Sequence, residues 1–218
     1  MVELRSRYPL SCSSGKVEIK LFEILKLYCK KGDKILDPTC GKKYIWGIKK
    51  KSCERKGFFI RERYLDYELV FSDSNSQEGN IVSKFQDLKY ESFFDVIVFD
   101  PPYLFGYPNS KDKRAEDYGG YDGDYEELKE MIGDANVYFY KFLKSHGVLI
   151  FKCADMFHVK EKKFYPLHAV WINILSNFEL VDVFVYQHHR VSGTSYQVKN
   201  RPCSIINHTY FLVFRKEN

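Results

Sequence analysis

The sequence lacks the features of a secreted or membrane-anchored chain. None of its apolar runs approaches the roughly 20 residues of a membrane-spanning helix, and its first residues carry no apolar core of a signal peptide. Its 6 cysteines form no C-x-x-C pair, which argues against a zinc site or a disulfide framework. We therefore expect reduced thiols, no metal and a cytoplasmic protein.

Internal repeats, low-complexity tracts and Pro/Gly/Ser-rich linkers are also missing. The 218 residues, 44% hydrophobic and 29% charged, have the size and composition of one globular domain. This composition excludes disorder for most of the chain. We predict a single domain over residues 1–218, with no separate target-recognition domain.

The net charge of +5 is small but unevenly distributed. Nine Lys or Arg residues lie between 42 and 63 against two glutamates, and eight carboxylates lie between 112 and 130 against three basic residues. A solvated face explains either run by itself. The functional interpretation of the basic run is a patch that faces phosphate groups. The acidic run overlaps residues 104–125, which lack clear periodicity and are predicted to form a mobile substrate loop.

Helical and strand-like periodicity alternate along the chain. Helical spacing covers 17–28, 125–143 and 168–175, and short apolar runs typical of strands cover 34–37, 68–73, 94–100, 148–152, 180–186 and 208–215. Such alternation indicates a mostly parallel sheet covered by helices on both faces. Ligands of these sheets bind beyond the carboxyl ends of the strands. Three predicted strands end in aspartate there, at Asp37, Asp73 and Asp100, so this edge is the predicted site.

The strongest chemical signal is Asp100-Pro101-Pro102-Tyr103, directly after an apolar run. Two prolines cannot continue a central strand, so the chain leaves the sheet with a stiffened backbone. The Asp100 carboxylate and the Pro101 carbonyl then become two fixed acceptors for the N–H groups of an amine on a flat ring. Tyr103 would stack on that ring, and Phe105 and Tyr107 are further stacking candidates. The alternative is a proline-rich strand exit with a surface tyrosine.

This tetrapeptide and its strand resemble the catalytic motif of the S-adenosylmethionine-dependent amino-methyltransferases that act on adenine N6 or cytosine N4. Asp37-Pro38-Thr39-Cys40-Gly41 is similar to the cofactor loop of that family. Asp73 stands where the family places the acidic residue that binds the cofactor ribose. The resemblance thus gives each strand-terminal aspartate a role in methyl transfer: Asp37 in the cofactor loop, Asp73 at the cofactor ribose and Asp100 in the catalytic motif.

Weaker likenesses extend the resemblance over nearly the whole chain. Phe85 and Asp87 stand in the segment that contacts the cofactor adenine, and Ser13 and Ser14 resemble the loop that closes over the methionine end. The sequence departs from the family at Lys43, which replaces the second glycine of the cofactor loop. Some phage-type members of the family lack this glycine as well.

The resemblance implies a Rossmann-like class I methyltransferase: an α/β fold with a seven-stranded, mostly parallel sheet, helices on both faces and an antiparallel last strand. It also implies S-adenosylmethionine as cofactor and methylation of the exocyclic amine of a nucleic-acid base, with adenine N6 in DNA favoured over RNA. Target recognition would then come from the loop over 104–125, the connections around 188–201, a second copy of the chain or a specificity partner.

Two alternatives stay open at this point. The same chemistry would serve a base in tRNA or ribosomal RNA. A chain with Lys43 in the cofactor loop could also be a non-catalytic nucleic-acid-binding protein on a degenerate methyltransferase scaffold. Nucleotide hydrolysis is a poor interpretation, because Ser13-Ser14-Gly15-Lys16 lacks the full phosphate-loop spacing and no predicted strand precedes it.

Overall fold

The computed structural model describes residues 9–47, 64, 66–74, 81–102, 105, 124–158, 161–188 and 204–218. Its helices are α1 (Val17–Tyr28), α2 (Tyr125–Phe142) and α3 (Leu167–Ile174), and two 3-10 turns cover Tyr44–Trp46 and Phe85–Asp87. Its strands are β1 (Cys12–Ser14), β2 (Lys34–Asp37), β3 (Glu68–Asp73), β4 (Ile81–Val82), β5 (Phe94–Phe99), β6 (Leu143–Cys153), β7 (Met156–His158), β8 (Lys163–Tyr165), β9 (Phe178–Gln187) and β10 (His208–Lys216). None of the helices in these ranges is long and apolar enough to cross a membrane.

In the described part of the chain, eight strands form one sheet in the order β1-β9-β10-β6-β5-β2-β3-β4. The pairs from β4 through β6 are parallel, whereas the last strand, β10, runs antiparallel to both of its neighbours. This arrangement confirms the predicted fold class. The six strands predicted from periodicity are β2, β3, β5, β6, β9 and β10, and the described sheet has eight strands where the resemblance implies seven. The two further strands are short: β1 has three residues and pairs with β9, and β4 has two and pairs with β3. A segment that short carries no periodicity from which a strand could be predicted.

The sheet separates two hydrophobic layers, because successive residues of a strand point to opposite faces. In β5, Val96 and Val98 pack with α1 on one face, whereas Ile97 and Phe99 pack with α2 and α3 on the other. Strands β6 and β10 alternate in the same way. The prediction of helices on both faces is therefore confirmed.

Helix α2 begins at a capping box. The Asp124 carboxylate accepts the backbone N–H groups of Glu126 and Glu127, and the Glu127 side chain accepts the N–H of Asp124. These bonds satisfy N–H groups that the first turn of a helix leaves without an intrahelical partner. The start of α2 agrees with the sequence prediction. Of the two carboxylates in its first turn, that of Glu127 belongs to the cap and that of Glu126 pairs with Lys129 at 2.7 Å.

Replacing Asp124 with alanine should lower the free energy of unfolding by about 1 kcal/mol, because two N–H groups lose their acceptor. Urea-induced unfolding followed by circular dichroism measures the change. Glu130→Ala removes an exposed carboxylate from the same helix and should change the free energy by less than about 0.5 kcal/mol. Equal losses in the two variants would contradict the stabilising role of the cap.

Candidate functional site at the carboxyl edge of the sheet

The structure brings the three strand-terminal aspartates to one edge. Asp37 ends β2, Asp73 ends β3 and Asp100 follows β5, and these strands are adjacent and parallel. Two hydrogen bonds join their segments: the Thr39 hydroxyl accepts the Asp100 N–H at 3.2 Å, and the Asp73 carboxylate accepts the Gly41 N–H at 2.8 Å. The loop after β2 is thus tied to both neighbouring strands.

Asp37 is the buried anchor of this loop, with 1% of its surface exposed. Its carboxylate accepts the Thr39 N–H at 3.0 Å and the Trp46 indole N–H at 2.6 Å. Burial raises the pKa of the Asp37 carboxyl to about 7, against the opposing effect of these two hydrogen bonds. Because the side chain offers almost no surface to a ligand, its observed role is to shape the loop. Direct contact of Asp37 with a cofactor stays a prediction.

The backbone of the loop turns sharply at Gly41, where φ is +43°, and at Lys43, where φ is 55°. Among the described atoms, a Cβ on Gly41 would meet only the Asp73 carboxylate, at 4.0 Å, so space is open beside Gly41. The Lys43 ammonium lies 4.6 Å from the centre of the Phe71 ring on β3. The residue that replaces the second glycine of the family is therefore engaged with the neighbouring strand.

Pro38 and Cys40 are buried parts of the same loop. The Cys40 N–H donates to the carbonyl of Ser72 at 3.1 Å, which ties the loop to β3 once more. Burial raises the pKa of the Cys40 thiol to about 12. A neutral, buried thiol is a poor nucleophile, so covalent chemistry at Cys40 is not expected, and its contact with a cofactor stays a prediction.

The other residues predicted to bind the cofactor are placed unequally. Asp87 is exposed in the 3-10 turn after β4, but the Phe85 ring is 4% exposed and packs 5.0 Å from the ring of Phe139 in the core. Ser13 and Ser14 belong to β1, which is separated from β2 by β9, β10, β6 and β5. The structure therefore does not put their strand beside the loop after β2.

The structure describes the predicted catalytic motif only as far as Pro102. Pro101 is buried and Pro102 is half-buried, whereas Tyr103 and Tyr107 lie outside the described residues, as does most of the predicted substrate loop. Phe105 is described, and its ring is 2% exposed.

The Phe105 ring is packed among other rings. It contacts the rings of Tyr125, Tyr165 and His158, with centroids 5.1–5.9 Å apart. The stacking role considered for Phe105 is therefore wrong, because its ring is used to pack the start of the loop against the β7–β8 hairpin.

Lys152 is the site residue that the sequence did not reveal. Its ammonium lies 2.7 Å from Oδ1 of Asp100, and the two side chains are 10% and 17% exposed. The parallel pairing of Phe99 with Phe151 puts the following residues of the two strands side by side. A lysine at the end of an apolar run was the available signal, since a buried lysine requires a partner.

A second polar cluster lies just beyond β6. A hydrogen bond of 2.7 Å joins the Asp155 carboxylate to the His168 ring, which stacks on Tyr210 with centroids 4.4 Å apart. The Tyr210 hydroxyl donates to Asp155 at 3.4 Å and lies 2.9 Å from Nε2 of His208. Burial raises the pKa of Tyr210 to about 12. The cluster connects β6, α3 and β10 at the same edge of the sheet as Asp100.

No protein-family model matches the chain, and no curated protein matches its sequence. Solved structures match its fold. One is 1,6-didemethyltoxoflavin-N1-methyltransferase from Burkholderia thailandensis, with bound 1,6-didemethyltoxoflavin and S-adenosylhomocysteine, at 13% identity over 93% of this chain and 79% of that chain, with a TM-score of 0.51. Another is a protein of Bacillus halodurans provisionally assigned as a methyltransferase, at 12% identity over 92% and 99%, also with a TM-score of 0.51. The chain thus has the class I methyltransferase fold.

A protein of Thermus thermophilus, provisionally assigned as a DNA modification methylase, matches a smaller part of the chain. The identity is 21% over 61% of this chain, and the TM-score is 0.40. The match spans about half of the Thermus protein, 49% of its length. A TM-score this low supports no conclusion about substrate.

The buried carboxyl of Asp37 should make the protein less stable as the pH rises. Its pKa is about 7 in the folded state and about 3.9 in an unfolded chain. The folded state therefore binds more protons between these values, and the free energy of unfolding falls as pH increases through the interval. We expect Asp37→Asn to lack this component in urea unfolding measured from pH 4 to pH 8.

Asp66→Asn is the matched control for this measurement. Asp66 is 60% exposed and pairs with Lys31 at 3.1 Å, so its removal should leave the pH dependence of the wild-type protein in place. A wild-type slope that survives in Asp37→Asn would show that burial does not control this carboxyl.

Proposed function

We propose that this chain is an S-adenosylmethionine-dependent methyltransferase acting on the exocyclic amine of a nucleic-acid base, with adenine N6 in DNA as the first candidate. The observation that carries the proposal is the position of Asp100. Its N–H is held by Thr39 and its carboxylate by Lys152, at the carboxyl edge of the sheet and directly before two prolines. The class I methyltransferase fold supports the same chemistry.

The loop after β2 and the end of β3 fit the cofactor. Among the described atoms, a Cβ on Gly41 would meet only the Asp73 carboxylate, at 4.0 Å. The half-buried Asp73 carboxylate ends the adjacent strand, where it would accept the ribose hydroxyls. Since the Phe85 ring is in the core, contact with the cofactor adenine falls to Asp87 and to the backbone of its turn. The bound cofactor supplies a methyl group on a positively charged sulfur.

The protein contributes position and electrostatics to the transfer. We infer that the target amine donates one N–H to Oδ2 of Asp100 and the other to the Pro101 carbonyl, which turns the nitrogen lone pair out of conjugation with the ring. No described residue hydrogen-bonds Oδ2, whereas Oδ1 is held by Lys152. Two fixed acceptors lower the barrier through orientation and preorganised charge.

Direct transfer, without a covalent enzyme intermediate, agrees with the thiols near the site. Burial raises the pKa of Cys40 to about 12 and raises that of Cys153 well above its ordinary value. Both are neutral at physiological pH, so neither is a thiolate nucleophile. A base in a duplex would have to be flipped out of the stack, at a cost of a few kcal/mol.

Methyl-labelled cofactor separates the possible substrates. The protein is incubated with DNA and, in parallel, with total RNA, and the labelled nucleoside is then identified. Label on adenine N6 in DNA is the expected result, and label confined to RNA would move the proposal to RNA bases. Binding of S-adenosylhomocysteine without label in either polymer would overturn the nucleic-acid substrate. Absence of that binding at millimolar ligand would overturn the enzyme itself.

Asp100→Asn should lower kcat about 10²- to 10³-fold, the range for removing one preorganised group that stabilises a transition state. Initial rates of labelled methyl transfer measure the effect, and calorimetry with S-adenosylhomocysteine should give an affinity close to that of the wild-type protein. Asp95→Asn changes a carboxylate on the same strand, where it pairs with Lys144, and should retain kcat. Undiminished transfer by Asp100→Asn would defeat the proposed mechanism.

Asp73→Ala should weaken the binding of S-adenosylhomocysteine about 10- to 100-fold, because a hydrogen bond to a charged group contributes roughly 1.5–3 kcal/mol. Calorimetric titration measures the dissociation constant. Glu130→Ala removes an exposed carboxylate of α2 and serves as the control, with unchanged affinity expected. Equal affinities of Asp73→Ala and the wild-type protein would remove Asp73 from the cofactor site.

A further inference from the structure

Lys152 lies deeper in the protein than a lysine normally does, with 8% of its surface exposed. It is the penultimate residue of β6 and pairs with Phe211 of β10. Lysines this buried are rare unless they are paired, because removing an ammonium group from water costs several kcal/mol. The position therefore calls for a compensating interaction.

The partner of Lys152 is the carboxylate on which the proposed chemistry depends. Its ammonium donates to Oδ1 of Asp100 at 2.7 Å. In the described part of the chain, no residue donates a hydrogen bond to Oδ2. The ion pair thus occupies one oxygen of the carboxylate and leaves the other for a ligand.

A second lysine–aspartate pair joins the same two strands at their opposite ends. Lys144 donates to both oxygens of Asp95, at 2.7 and 2.8 Å, and the backbone N–H of Lys34 donates to Oδ2 as well. Its side chains are 42% and 25% exposed. Both oxygens of Asp95 are therefore used within the protein, as expected of a structural pair.

We propose that Lys152 is a positioning residue for the methyl transfer, which holds Oδ1 of Asp100 so that Oδ2 faces the target amine. The inference rests on the proposed function, since it assigns Asp100 to the amine. A carboxylate that rotates about its Cβ–Cγ bond would present its oxygens at varying positions, and a misplacement of about 1 Å can reduce a rate about 10²-fold. Lys152 also compensates the charge of Asp100 beside the buried carboxyl of Asp37.

In the proposed role, Lys152 orients Asp100 and does not itself react; the amine nitrogen of the base is the nucleophile. The nitrogen lone pair forms the new N–C bond, the C–S bond breaks with its electron pair going to sulfur, and the nitrogen loses one proton to solvent. Lys152 takes part in none of these bonds. The positioning effect on kcat should therefore depend on Asp100, and a double-mutant cycle measures that dependence.

Lys152→Met is nearly isosteric and removes the ammonium. It should lower kcat about 10- to 100-fold, by analogy with the loss of a group that orients a metal-binding side chain, with KM for the nucleic acid changed less than about threefold. Lys152→Arg keeps a charged donor and should recover part of the rate. In an Asp100→Asn background, Lys152→Met should reduce kcat less than about twofold further. The substrate is whichever DNA or RNA preparation the wild-type protein methylates.

Lys144→Met is the matched control, because it removes the same group from the same pair of strands at the other edge. It should reduce the free energy of unfolding while leaving kcat within about twofold of wild type. Thermal unfolding and S-adenosylhomocysteine binding establish that each variant is folded. If Lys152→Met does not fold, the double-mutant cycle with Asp100→Asn is measured with Lys152→Arg and Lys152→Gln instead.

Two results would overturn the positioning role. One is a wild-type kcat in the folded Lys152→Met variant, and the other is an equal loss of rate in the wild-type and Asp100→Asn backgrounds. A wild-type protein that methylates neither DNA nor RNA would instead refute the proposed function, so the two failures are distinguishable.

Discussion

The parallel register of β3, β2, β5 and β6 is the constraint on which the proposed site depends. Parallel strands end at a common edge, and this edge collects Asp73, Asp37, Asp100 and Lys152 from distant parts of the chain. A slip of one residue in any pair would turn its side chains to the opposite face. The two hydrophobic layers oppose such a slip, because each strand buries a different set of side chains on each face.

Three aspartates in equivalent places acquire three different properties from their surroundings. Asp37 is fully enclosed, bonded to an indole and a backbone N–H, and its pKa is raised to about 7 by burial. Asp73 stays half-buried and accepts a backbone N–H from the neighbouring loop. Asp100 is paired with Lys152 through one oxygen. In the proposed function, ligand contact falls to Asp73 and Asp100, while the enclosed Asp37 shapes the loop after β2.

Aromatic residues show where reasoning from sequence reaches its limit. Phe85 and Phe105 both stand in segments with functional motifs, yet both rings are buried and packed against other rings. A phenylalanine that stacks on a ligand and one that fills the core have the same local sequence pattern. Only the position of the surrounding helices and strands distinguishes them.

Sequence patterns were sufficient to predict the three described helices, the six longer strands of the sheet and the chemical motif. The periodicity places α1 at residues 17–28, β2 at 34–37 and β3 at 68–73, as the structure has them, because side-chain alternation and helical spacing are local properties. The motif Asp100-Pro101-Pro102-Tyr103 could also be recognised from the sequence, since two consecutive prolines end a central strand. Tertiary structure alone decided that Lys152 meets Asp100, that Asp37 is enclosed and that β1 pairs with β9. These three features depend on contacts between residues far apart in the chain. Strand order and register create such contacts, and no local sequence pattern predicts them.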